Sequence, residues 1–117
     1  MELEVSKTPA CSILRIKGDV DLYSSPQVRK LVLTLLNKKD ANLLVDLKDV
    51  TYMDSSGVAT LVEGLQMTHK NGGKLMLFDL RQAIRDVFEL SRLDKVFEIY
   101  DSEKDALEGI KRGSVQQ

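Results

Sequence analysis

Two serines behind an aspartate, Asp54-Ser55-Ser56-Gly57, are the residues of this chain whose type and spacing best support chemistry. Asp and Ser favour helix starts because their oxygens accept the free N–H groups of the first turn, a contribution of about 1 kcal/mol. The same helix start is an anion site, where those N–H groups and the helix dipole would hold a phosphate carried on either serine. A structural cap and a phosphoacceptor are therefore both open readings. Gly57 has no β-carbon, so it either lets a bulky partner reach the hydroxyl closely or relieves a crowded helix start.

Other chemical templates fail. A serine nucleophile needs a base, and the single histidine, His69, falls near the far end of the helix that Ser55 begins, roughly 20 Å away at 1.5 Å per residue. The run also lacks the Gly-x-Ser-x-Gly elbow, and the chain has neither Gly-x-x-x-x-Gly-Lys-Ser/Thr nor Gly-x-Gly-x-x-Gly. One Cys and one His far apart in sequence do not make a zinc site. His69 reads as an exposed helical residue and Cys11 as a small buried filler. The expectation is a protein that is not an enzyme, with no cofactor and no metal.

The elements that must position Ser55 alternate between strand and helix. Leu3 and Val5 alternate with Glu2 and Glu4, and a run from Cys11 to Lys17 ends at Gly18, which together predict a hairpin around Thr8-Pro9-Ala10. A polar loop, Asp19 to Ser25, leads to Pro26, the arrangement of an N-cap followed by proline at the first helical position. Val28, Leu31, Val32, Leu35 and Leu36 then repeat at helical spacing. Leu43 to Leu47 is a nearly continuous apolar run, as a strand covered on both faces requires. After Asp54-Ser55-Ser56-Gly57, the residues Val58, Leu61, Val62 and Leu65 form a second helical stripe that runs to Asn71-Gly72-Gly73. Leu75 to Phe78 predicts a strand, Arg81 to Leu90 a helix, Val96 to Tyr100 a strand and Ser102 to Lys111 a last helix. The sum is an α/β domain with a mixed sheet of about five strands and about four helices over residues 1–111, followed by a flexible tail, 112–117.

The chain's 117 residues fit one domain, and its 43% hydrophobic content is enough for one core without disulfides. Seventeen Lys and Arg against 18 Asp and Glu leave a net charge of −1, too balanced for an electrostatic nucleic-acid binder. The first residues carry no basic, apolar leader, and no apolar run approaches the length of a membrane span, so the expectation is a soluble cytoplasmic protein.

An ordered set of segments resembles one family. Gly18-Asp19-Val20-Asp21-Leu22-Tyr23, the helix after Pro26, Leu44-Val45-Asp46-Leu47, Val50-Thr51-Tyr52-Met53-Asp54-Ser55-Ser56-Gly57 and Asn71-Gly72-Gly73-Lys74-Leu75 are similar to the STAS domain of bacterial anti-sigma factor antagonists. Val87 to Phe97 resembles the same family's penultimate helix and turn, so the likeness runs from about Glu2 to Ile110. Asp-Ser-Ser-Gly alone would recur by chance; the weight lies in the order.

The resemblance implies a partner switch. An unphosphorylated antagonist binds an anti-sigma factor that is also a serine kinase and so releases the sigma factor. The kinase phosphorylates the serine after the motif aspartate, and a metal-dependent serine phosphatase reverses this. Carried onto this chain, the acceptor is Ser55, with Ser56 the second choice. Asp21, Tyr23, Ser24, Asp54, Ser55, Ser56, Gly57 and Val58 form the implied partner surface. For Asp21, turn capping is an equal alternative. Val58-Ala59-Thr60 stands where the family commonly has Leu-Gly-Val, a departure that bears on partner fit. A monomer or weak dimer without membrane insertion or direct nucleic-acid contact is expected. The competing readings are a STAS subunit of a lipid-transporting ABC system and a scaffold in a sensory assembly.

Overall fold

The computed structural model describes the backbone of residues 1–115 and the side chains of residues 1–112. β1 (Glu2–Lys7) and β2 (Ser12–Val20) pair antiparallel, with Leu3 opposite Ile16 and Val5 opposite Leu14. Thr8 closes the hairpin by accepting the Ala10 and Cys11 N–H groups at 3.2 and 3.0 Å. Helices and strands then alternate: α1 (Ser25–Leu35), β3 (Asn42–Met53), α2 (Ser55–Asn71), β4 (Lys74–Phe78), α3 (Gln82–Leu90), β5 (Glu98–Tyr100) and α4 (Glu103–Val115). The sheet order is β1-β2-β3-β4-β5, and β2 to β5 are parallel. The expected mixed α/β domain of five strands and four α-helices is thus present among the described residues.

Right-handed crossovers that always step the same way along a sheet place their helices on one face. Accordingly Val28, Val32 and Leu36, Leu61 of α2, and Ile84 and Phe88 of α3 share one core with Leu14, Val45 and Leu77. The alternate strand residues Ile13, Leu44, Met76 and Phe78 face the other way and meet Ala106 and Ile110 of α4.

Several boundaries differ from the sequence reading. β2 runs through Gly18, which takes a φ of +103°, and continues to Val20. β3 does not stop at Leu47 but reaches Met53. Continued pairing with β2, Asp49 opposite Lys17 and Met53 opposite Val20, carries it there, and Asp46 within it is buried with its carboxylate receiving Arg15 Nη1 at 2.8 Å and the Lys48 N–H at 3.0 Å. The pairing register slips between Arg15 and Lys17, so Lys48 and Asp49 turn outward before the strand resumes at buried Val50. α1 starts at Ser25, so Ser24 rather than Ser25 holds the N-cap position, one residue before the expected one, and its side chain makes no capping hydrogen bond. α4 extends to Val115, through four of the residues assigned to the tail; residues 116–117 of that tail lie outside the described residues.

Candidate functional site

β2 and β3 are parallel neighbours that end in register, Val20 opposite Met53. Asp21 and Asp54, the next residue of each, therefore emerge side by side at one edge of the sheet. The Asp54 N–H donates to the Val20 carbonyl at 3.1 Å and ties the two exits together.

Asp54 caps α2. Its Oδ1 accepts the Ser56 N–H at 2.9 Å and the Gly57 N–H at 3.3 Å, and the Ser56 hydroxyl donates to the same oxygen. The Ser56 hydroxyl, followed by the Gly57, Ser56 and Leu22 N–H groups, holds the Asp54 carboxyl below the usual carboxylate range against partial desolvation. Asp21 uses the same chemistry. Its Oδ1 accepts the N–H groups of Tyr23 and Ser24 at 2.9 and 3.0 Å. The Ser24 N–H is the main cause lowering its pKa, while the nearby Asp54 charge works in the opposite direction. The turn-capping role weighed for Asp21 is thus realised, and two carboxylates stand ionised at this edge.

The two serines part company here. Ser55, the first residue of α2, is exposed, and its hydroxyl has no partner among the described residues. Ser56 is half-buried and bonded to Asp54. Because Asp54 already occupies the Ser56 and Gly57 N–H groups, those donors are not free for a phosphate on Ser55; the Ser55 N–H and the helix dipole are what Asp54 leaves.

Gly57 points inward. A β-carbon there would lie 2.8 Å from both Met53 Cγ and Val20 Cγ1, which decides between its two readings in favour of the crowded helix start. Gly64 repeats the device against Val32, where a β-carbon would sit 2.8 Å from Cγ1. The fully buried positions of α2 are accordingly Gly57, Thr60, Leu61, Gly64 and Thr68, while Val58, Val62 and Leu65 of the expected stripe are half-buried and pack against the margin of the same core. Small residues let α2 lie close to the sheet and α1, which rotates Val58 and Val62 to its edge. There, Ser55, Val58, Ala59 and Val62 face Val87 and Ser91 of α3 across an open groove of about 760 Å³. Of the departure Val58-Ala59-Thr60, the first two thus line this groove and Thr60 is buried.

Tyr23 is 89% exposed and Leu22 68% exposed on the loop beside Asp54, and Leu90 of α3 is 86% exposed. Leu22 beside Asp54 and the groove-lining Val87 and Ser91 were not among the expected site residues. The signal for Leu22 was an apolar residue in an otherwise polar loop; the α3 residues carried none, because only the fold brings α3 to the groove. Arg29 of α1 grips Glu63 of α2 through two 2.7 Å hydrogen bonds and fixes the groove's far rim. His69 lies exposed in the last turn of α2, away from Ser55, and Cys11 is buried.

The STAS domain family model matches residues 2–106. The chain belongs to the STAS domain family. It is 35% identical over 86 residues, 74% of this chain and 78% of the other, to the anti-sigma-B factor antagonist of Bacillus subtilis strain 168. Protein TM1081 of Thermotoga maritima shares the fold at a TM-score of 0.87, with 23% identity over 93% of this chain and 94% of that one. The Bacillus cell fate determinant SpoIIAA in its phosphorylated form shares it at a TM-score of 0.74, with 20% identity over 93% of this chain and 99% of its own. Among the described residues of this STAS domain, no helix is long and apolar enough to cross a membrane.

Proposed function

We propose that this STAS domain is an anti-sigma factor antagonist that acts by partner switching, with Ser55 as the phosphoacceptor. Unphosphorylated, it binds an anti-sigma factor serine kinase and releases the sigma factor; phosphorylated, it does not bind; and a metal-dependent serine phosphatase restores it. The observation that carries this reading is the unbonded, exposed Ser55 hydroxyl at the start of α2, between Asp54 and the apolar groove. The anti-sigma-B factor antagonist of Bacillus subtilis supports it by name.

The mechanism follows from charge. Asp54 and Asp21 are already ionised beside the serine, so a group of about −1.5 to −2 charge adds a third anion at a surface otherwise met by a neutral hydroxyl. The partner contacts are Asp21, Tyr23 and Ser24 on the loop and Asp54, Ser55, Ser56 and Val58 at α2, with Gly57 setting the height of the helix from beneath. Apolar Leu22 and Tyr23 supply contact area. An anion left unpaired among such contacts costs several kcal/mol. The helix itself needs nothing from Ser55, since Asp54 caps it, so phosphorylation leaves the host fold unchanged.

Incubation with ATP and the kinase that the immobilised chain captures from its native cell, followed by tandem mass spectrometry, tests the assignment. The added phosphate is expected on Ser55, and Ser55→Ala is expected to abolish it while Ser56→Ala keeps it. Modification confined to Ser56, or found on neither serine, would overturn the assignment.

A further inference from the structure

We propose that Asn71 is a deamidation site guarded by the fold: it loses its side-chain amide when the junction around it opens, and the acid that results weakens that junction. The inference does not depend on the reading of Ser55, which begins α2 at the helix end opposite Asn71. Asn71 is the last residue of α2 and precedes Gly72, whereas Asn37 and Asn42 precede Lys38 and Leu43. A glycine leaves its own nitrogen unshielded, so that nitrogen reaches the preceding side chain most easily. The structure requires both members of this labile pair. Gly72 takes a φ of +91°, and a β-carbon on it would lie 2.5 Å from Asp40 Oδ1. Asn71 Nδ2 donates to the Leu36 carbonyl at 2.9 Å, and the Asn71 carbonyl accepts the Asp40 N–H at 2.9 Å, which fastens the end of α2 to the loop after α1.

The chemistry needs only water. The Gly72 nitrogen attacks Asn71 Cγ and closes a cyclic imide, while the side-chain nitrogen leaves as ammonia with the proton taken from the Gly72 N–H. Hydrolysis of the imide at one carbonyl or the other then yields aspartate, or isoaspartate with the backbone routed through the side chain. In the folded protein both ends of this reaction are tied, because the Gly72 N–H donates to the Thr68 carbonyl at 2.8 Å and the leaving nitrogen is bonded to Leu36. Opening of the junction frees them together. The product does not fit the place it came from. A carboxylate has no hydrogen to give the Leu36 carbonyl, it adds negative charge at the negative end of the α2 dipole, and it joins Asp40, whose carboxylate already lies over Gly72.

The test holds the full chain in warm, mildly alkaline buffer, with and without unfolding urea, and follows the amide-to-acid mass gain at each asparagine by peptide mass spectrometry. Deamidation is expected at Asn71 in urea and about tenfold or more slower in the native protein, with Asn37 and Asn42 reacting far more slowly than Asn71 in urea. Asn71→Ala removes only the donor, and Asn71→Asp adds the charge. In urea unfolding, Asn71→Asp should therefore lose more stability than Asn71→Ala, enough to raise the unfolded fraction about tenfold above the wild type. Where Asn71→Asp does not fold, wild-type protein aged in urea and refolded gives the same comparison, its deamidated fraction melting below the intact one. Equal rates in native and unfolded protein overturn the guard, and an Asn71 that survives in urea overturns the site. A deamidated or Asn71→Asp protein as stable as the wild type overturns the weakening of the junction.

Discussion

Two helices begin side by side at the same edge of the sheet, each from an aspartate and a nearby serine, and they use those residues in opposite ways. At α1, the Ser24 hydroxyl is fully engaged: it accepts the Asp21 N–H at 2.9 Å, reaches the Asp19 carbonyl at 2.9 Å and lies 3.2 Å from Asp21 Oδ1. At α2, the Asp54 carboxylate does the capping and Ser56 completes it, which leaves Ser55 with nothing to hold. A serine is available for modification where another group has taken over the task of satisfying the backbone. Composition alone does not separate the two cases.

The sharpest way to break this comparison is to load charge onto the free serine. Ser55→Asp should weaken binding to the anti-sigma factor about a thousandfold, ~4 kcal/mol, in titration calorimetry; unchanged affinity would remove the functional difference between the two helix starts. Next in size is Gly57→Val, which forces side-chain atoms against Val20 and Met53. It should cost about 3 kcal/mol of stability in urea unfolding. Ser24→Ala removes the bonded hydroxyl of α1 and should cost about 1 kcal/mol by the same measurement.

A pH titration sharpens the electrostatic half. The Asp54 pKa is lowered in the folded state, so its contribution is fully present above the unfolded carboxylate value and is lost as pH falls through the lower native one. The stability gap between the wild type and Asp54→Asn should therefore hold at neutral pH and close in acid below about pH 4. A gap that widened in acid would contradict that sign. The smallest expected effect is Ser55→Ala, which should leave stability within about 0.5 kcal/mol of the wild type, in contrast to Ser24→Ala.

Much of the architecture was legible because it is written in local periodicity. The order of strands and helices, the apolar face of α1 and the cap at Asp54 all follow from residues a few positions apart. What stayed hidden depends on partners distant in sequence. The apolar run ends at Leu47, yet β3 continues through Lys48, Asp49 and Thr51 because it stays paired with β2, as far as Met53 opposite Val20. The α2 stripe does pack on the core, but its most buried line runs through Gly57 and Gly64, which periodicity passes over because close approach to Val20 and Val32 favours a residue with no side chain. At the site, the adjacency of Asp21 and Asp54 comes from the paired ends of β2 and β3, which neither segment reveals alone. The separation of Ser55 from Ser56 likewise appears only in their hydrogen bonds.

A helix closed by its own carboxylate has a temporal consequence. Nothing in the body of the protein has to melt, slide or repack when the neighbouring hydroxyl gains or loses an ester. A change of message then takes only as long as an enzyme's turnover and a diffusive meeting. Between those events the message is stored as a covalent bond, which thermal fluctuation of the chain does not erase.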